Sequence, residues 1–256
     1  MDKQTNMNFR DNVLVAVTTC GAAPYVDLSL TKLKSFNLNC VVFDDGSFDE
    51  TLQNVCDKHE VYLIGKCKPK EKHWYYGDYS STLSAIRLAD YCCYDFLLKI
   101  SRRWIWLEDP IPSLDRLYTE SGGSTFSNAT RPQDGVGFGF RTDCFCIHVP
   151  TWLSVITDME NRLKTGDIGL VEALWHSYAK KIQPDTELYK NYVKDNPRHI
   201  SRTGYIGWDF EGNNSLEKLK QRLWHECNSL QDYYKAAKEC NLPYCVEDFN
   251  LKETRI

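Results

Sequence analysis

Within the first hundred residues, short apolar runs alternate with stretches whose apolar residues recur at helical spacing, and few folds accept that alternation. NVLVAVTTC, residues 12–20, is a continuous β-branched run of the kind buried on both faces of a sheet. PYVDLSLTKLKSF, residues 24–36, opens on Pro24 and carries Val26, Leu30, Leu33 and Phe36 at helical spacing. NCVVFDD predicts a second strand and SFDETLQNVCDKH a second helix, with Ser47 and Glu50 spaced as a capping box. A third strand at 61–66, a third helix at 80–93 and a fourth strand at 95–101 follow. The order βαβαβαβ predicts an α/β, Rossmann-like fold: a mostly parallel sheet with right-handed crossovers and helices on both faces. Such sheets hold ligands beyond the carboxyl ends of their strands, where Asp44, Asp45 and Ser101 stand.

The pattern then changes. GVGFGFRTDCFCIHV, residues 135–149, predicts two short strands around a turn at Thr142 and Asp143. Two helices follow, the first opening on Pro150. Residues 184–213 are polar, with Pro, Gly and aromatics, and predict a long irregular segment. Residues 215–240 form the longest helix signal, with Leu216, Leu219, Leu223, Leu230 and Tyr234 as an apolar surface for its own domain or for a second subunit, a homodimer. We read one domain over 1–213 and a helical C-terminal appendage over 214–256.

Net charge is −4 and the pI about 5.9, which argues against a nucleic-acid partner. No apolar run is long enough for a transmembrane segment, and the polar N-terminus lacks the centre of a secretion signal. The eleven cysteines are odd in number and several lie in apolar runs, without paired zinc spacing; a reducing compartment fits them best. The expected location is cytoplasmic, including the inner face of a membrane.

VVFDDGSFDET, residues 41–51, places two carboxylates side by side where a turn needs one. An ordinary strand-to-helix turn explains Gly46 and a capping Asp45 or Ser47, with Asp44 solvated. A nucleotide site explains both acids, because a buried carboxylate needs donors. Neither glycine-rich phosphate fingerprint is present.

VLVAVTTCGAAPYVDLSLTKLKSF followed by CVVFDDGSFDET resembles the nucleotide-binding half of GT-A glycosyltransferases of the family 2 type. The match is Asp44, Asp45, Gly46, Ser47, Asp49 and Thr51, and it covers about residues 12–105. The resemblance implies a GT-A-like fold, with 12–105 binding the nucleotide and 106–213 the acceptor. Thr18, Thr19 and Cys20 then line the nucleotide loop with Ser47, and Asp44 or Asp45 holds base or ribose. The implied partners are a UDP- or GDP-sugar donor and a saccharide or glycolipid acceptor, in surface polysaccharide or lipopolysaccharide synthesis.

Where that family carries Asp-x-Asp for a divalent cation, this chain has LLKISRRWIW, a Lys-x-Ser-x-Arg pattern. One reading makes Lys99 and the arginines surface charges. The other lets Lys99, Ser101 and Arg103, with Arg202 from a later loop, hold the diphosphate as a metal does. No cofactor is then required, although manganese or magnesium stays open. Asp78 stands at a helix start suited to anions, and Trp104 and His148 are further candidates for sugar or acceptor contact, His148 equally for the core. An inverting transfer needs one base, for which Glu172 and then Asp143 are the candidates. The competing function is a catalytically inactive descendant that binds saccharide or protein.

Overall fold

A computed structural model describes residues 9–47, 49–65, 74–127, 142–197, 200, 206–207, 222–223 and 228–250, with backbone alone at 74 and 75. The alternation is realised as β1 (Val13–Thr19), α1 (Ala23–Ser35), β2 (Asn39–Asp44), α2 (Glu50–Lys58), β3 (Tyr62–Gly65), α3 (Trp74–Tyr91) and β4 (Phe96–Ser101). Beyond them lie β5 (Ile105–Trp106), α4 (Ile111–Ser121), β6 (Thr125–Ser127), β7 (Cys144–His148), α5 (Val149–Thr165), α6 (Val171–Lys181) and α7 (Glu187–Asp195). The short strands β8 (Ile206–Gly207) and β9 (Arg222–Leu223) and the helix α8 (Leu230–Glu239) complete the described strands and α-helices.

Seven strands form one sheet in the order β3-β2-β1-β4-β7-β6-β8. β7 runs antiparallel to both neighbours and the other pairings are parallel. This is the mostly parallel, helix-flanked sheet expected. Every residue of β1 is buried, as its unbroken apolar run requires of a central strand. Residues of α1, α2, α4 and α7 pack on one face. Those of α3, α5 and α6 pack on the other, around Tyr79, Phe145, Trp152 and Trp175. The chain leaves β1 toward β2 on one side and returns from β3 to β4 on the other. A crevice therefore opens beyond the carboxyl ends of β1 and β4, the topological switch point of the sheet.

Several expectations are corrected. Asp49, not Ser47, caps α2, because its carboxylate accepts from the Thr51 N–H at 2.9 Å while the Ser47 hydroxyl turns back to Asp44. Thr142 and Asp143 do form a turn, but β7 pairs with β4 and β6, and residues 135–141 of the expected hairpin lie outside the described residues. The stretch 184–213 contains α7, capped by Thr186, and β8. The continuous helix over 215–240 is broken: Arg222–Leu223 is a strand paired with Ile105–Trp106, and the described helix begins at Leu230. Leu223 is buried against Ile105 and Tyr233, so its apolar side serves sheet pairing and not a helical stripe. Among the described residues, no helix is long and apolar enough to cross a membrane.

A buried acid is one of the links that join the C-terminal segment to the sheet's helices. Asp27 in α1 accepts from the Lys58 ammonium at 2.9 Å, lies 2.5 Å from the His59 ring nitrogen, and accepts from the Tyr244 hydroxyl at 2.8 Å. Burial alone would raise its pKa, but the bonds from His59, Lys58 and Tyr244 outweigh that and hold it below the ordinary carboxylate value. A folded pKa below the unfolded one means stability present above about pH 4 and lost as pH falls through the folded value. Asp27→Asn is expected to cost about 2 kcal/mol at neutral pH. In urea melts across pH, its deficit against wild type should close below about pH 4.

Candidate functional site

The crevice is built first from the loop between β1 and α1. Gly21 and Ala22 are consecutive left-handed residues, both with φ of 65°, a conformation that strains an alanine by about 1 kcal/mol. The Thr19 hydroxyl donates to the Gly21 carbonyl. One oxygen of Asp44 accepts from the Gly21 N–H at 2.9 Å, and the other from the Ser47 N–H and hydroxyl, both at 2.8 Å. Asp44 therefore clamps the loop after β1 to the turn after β2. Its neighbour is placed differently. The Asp45 N–H bonds the Thr19 carbonyl at 2.8 Å, and its carboxylate lies over the first turn of α3. A Cβ added to Gly77 would stand 1.4 Å from Asp45 Oδ2. Gly77→Ala is expected to lower stability by about 1–3 kcal/mol, because the acid must shift. Thermal melts of Gly77→Ala alone and with Asp45→Gly check this, the second change restoring most of the loss.

Lys99 points toward α3, on the same face as Leu97. Its side chain is 1% exposed and its ammonium stands 2.8 Å and 3.1 Å from the two oxygens of Asp78. It also donates to the Thr142 carbonyl, and Asp78 accepts from the Thr18 hydroxyl at 2.9 Å. Lys99 and Asp78, expected at diphosphate and sugar respectively, are thus bonded to each other beneath the crevice. Ser101 ends β4 with its N–H on the Asp143 carbonyl at 2.7 Å, and its hydroxyl oxygen is buried without a hydrogen-bond partner among the described residues.

Among the described residues, Arg102 and Arg103 follow directly on the crevice end of β4, both half-buried. The Arg102 N–H bonds the Thr18 carbonyl at 3.0 Å and its guanidinium donates to the Cys20 carbonyl at 2.6 Å. Burial, and after it the charge of Arg103, push the Arg102 pKa down from the ordinary arginine value, although an arginine remains charged at neutral pH. The two guanidiniums repel each other. Tyr25 lies within the field of both; its pKa is raised by burial and drawn back by Arg103 and Arg102. Arg102 was not among the candidates read from the sequence, since it stands at an unspecified position of the Lys-x-Ser-x-Arg pattern. The paired arginines were the available signal.

The other candidates divide by where the strands run. Because β7 is antiparallel, Asp143 precedes it at the crevice end and His148 follows it at the opposite end. His148 there bonds Thr151 at 2.8 Å and stacks on Tyr118, at the end of the sheet away from the crevice. Trp104 is fully buried against Trp106 with the Arg222 guanidinium 4.5 Å above its ring, and presents no face to a sugar. α5 returns to the crevice end, where the Tyr76 hydroxyl of α3 bonds the Gly166 carbonyl at 2.7 Å, and Glu172 follows in the first turn of α6. No bond joins Glu172 or the Asp143 side chain to the arginine pair. Arg202 lies outside the described residues.

The divalent cation that the family resemblance implies does not fit this donor set. It would stand among an ammonium and two guanidiniums, with Asp78 already satisfied by Lys99. Among the described residues, no three His, Cys, Asp or Glu side chains are grouped as metal ligands.

No family model matches the chain, and no curated protein matches it in sequence. Among solved structures it is similar to S. aureus TarS 1-349 in complex with UDP, at 15% identity, over 56% of this chain and 48% of that chain, with a TM-score of 0.40. A second S. aureus TarS structure is 14% identical over 56% of this chain and 29% of that chain, with a TM-score of 0.42. The match thus spans less than half of either solved chain, and a likeness of this extent bears on neither the chemistry nor the site.

Proposed function

We propose that the chain is a GT-A-like glycosyltransferase that moves a sugar from a nucleoside diphosphate donor to a saccharide or glycolipid acceptor without a resident metal. The observation that carries this reading is the pair of half-buried guanidiniums, Arg102 and Arg103, beside each other at the switch point of the sheet. Two adjacent like charges cost energy unless an anion joins them, and a diphosphate supplies that anion. The guanidiniums hold it in the ground state and stabilise the charge that gathers on it as the sugar departs. Lys99, buried on Asp78, acts by holding β4 and α3 together beneath them. Asp45 bounds the opposite side as the partner for base or ribose, while Asp44 keeps the loop in shape. Glu172 or Asp143, both at the crevice end, takes the acceptor proton. Surface polysaccharide or lipopolysaccharide assembly supplies the acceptor, and residues 106–213 receive it.

The test is a panel of UDP-, GDP-, CDP- and ADP-sugars, followed for thermal stabilisation and slow hydrolysis with and without EDTA. One donor should stabilise the protein and be hydrolysed equally well in EDTA. Loss of activity in EDTA with recovery in manganese overturns the metal-independent part, and silence toward every donor overturns the whole. The competing reading, a binding module without catalysis, is favoured by the charges of Lys99 in β4 and Asp78 in α3 being spent on each other. Stabilisation by a donor that is never cleaved, even with acceptors present, would establish it.

A further inference from the structure

The turn that carries the two arginines is held from outside by the C-terminal helix. On its inner side the Arg102 N–H is tied to β1, and the Trp104 N–H closes back onto the Ser101 carbonyl at 2.9 Å. On its outer side the Arg103 carbonyl accepts from the hydroxyl of Tyr233 in α8 at 2.7 Å. Tyr233 is 1% exposed, its ring 4.8 Å from Tyr25 and 6.0 Å from Phe249 between centroids. The Tyr25 hydroxyl donates to the Phe249 carbonyl at 2.6 Å, and two residues beyond the turn β5 pairs with β9.

From this we propose that Tyr233 is a positioning residue for the diphosphate: its hydroxyl fixes the backbone of the Arg102–Arg103 turn so that both guanidiniums face one anion. The inference rests on the reading of that turn as a diphosphate site. Packing alone does not ask for a hydroxyl here, since a phenyl ring fills the same space among Tyr25 and Phe249. The hydroxyl is a polar group within an apolar cluster, and it is spent on the carbonyl of an arginine whose guanidinium is repelled by its neighbour. A turn pinned on both sides pays less ordering entropy when the anion arrives.

The test compares Tyr233→Phe with Tyr178→Phe by calorimetric titration of the full chain. Tyr178 is an equally buried tyrosine on the opposite face, bonded to Asp158 at 2.6 Å, and serves as the match for general loss of a hydrogen bond. The probes are UDP, GDP, CDP and ADP, the parent nucleosides, and inorganic pyrophosphate. Tyr233→Phe is expected to weaken the best nucleoside diphosphate and pyrophosphate alike, by about fivefold, the worth of one hydrogen bond. Nucleoside binding, and diphosphate binding by Tyr178→Phe, should stay at wild-type strength. Equal diphosphate affinity in Tyr233→Phe and wild type overturns the positioning role while leaving the site reading intact. So does an equal loss in Tyr178→Phe, or a loss that extends to nucleosides. A wild-type chain that binds no diphosphate overturns the site reading and this inference together.

Discussion

Arg103→Ala is expected to lower donor cleavage by about 10²- to 10³-fold, the usual loss when one preorganised donor to a developing negative charge is removed. The fold should survive, because the bonds of this turn are made by its backbone and by Arg102, not by the Arg103 guanidinium. Arg103→Lys keeps the charge but loses the planar fork, and belongs between the two. Arg102→Ala should lose comparable activity and also loosen the Cys20–Ala22 loop, since its guanidinium holds the Cys20 carbonyl. Single-turnover rates at saturating donor measure the effect, with thermal melts as the control. An Arg103→Ala protein that turns over at the wild-type rate would remove the arginine pair from the mechanism.

The second large effect is on stability. Asp78→Leu leaves the Lys99 ammonium, with a side chain 1% exposed, facing the Thr142 carbonyl without its counter-charge. Breaking one half of a buried pair costs about 3–5 kcal/mol, whereas replacing both halves by apolar groups is often neutral. In a chain of this size that corresponds to a melting point lower by roughly 10 °C. The double variant Asp78→Leu with Lys99→Met should recover most of it. If the double variant melts as low as the single one, the pair is not the element that joins α3 to β4.

Strand and helix alternation was legible through β4 because each element carries its own periodicity: the unbroken apolar run of β1 and the spacing of Val26, Leu30 and Leu33 in α1 need no tertiary information. Strand direction is not written locally, and His148 shows the cost. CFCIH reads the same in either direction, yet its antiparallel course sends His148 away from the crevice and brings Asp143 to it. Lys99 is legible as a residue of β4, but its depth is not. Its register against Ala16 and Phe145 directs it to the α3 face, where the decisive partner, Asp78, comes from a helix twenty-one residues earlier in the chain. Asp44 and Asp45 look alike in sequence and differ only through what the neighbouring loops bring, the Gly21 and Ser47 amides to one and Gly77 to the other. The split of the 215–240 helix was hidden for a related reason: leucines at helical spacing also suit a two-residue strand whose partner, Ile105–Trp106, is over a hundred residues away.

The contact between Tyr233 and Arg103 also has a bearing on biosynthesis. The residues that bring Asp44, Asp45 and both arginines together are made before the groups that brace the arginine turn, which follow well over a hundred residues later in the chain. Because chains grow at about 5–20 residues per second, a nascent molecule spends several seconds with its parallel strands formed and that turn unsupported. A ribosome-bound intermediate halted before α8 would therefore carry the arginine turn unbraced, and the turn would be fixed only as that helix docks.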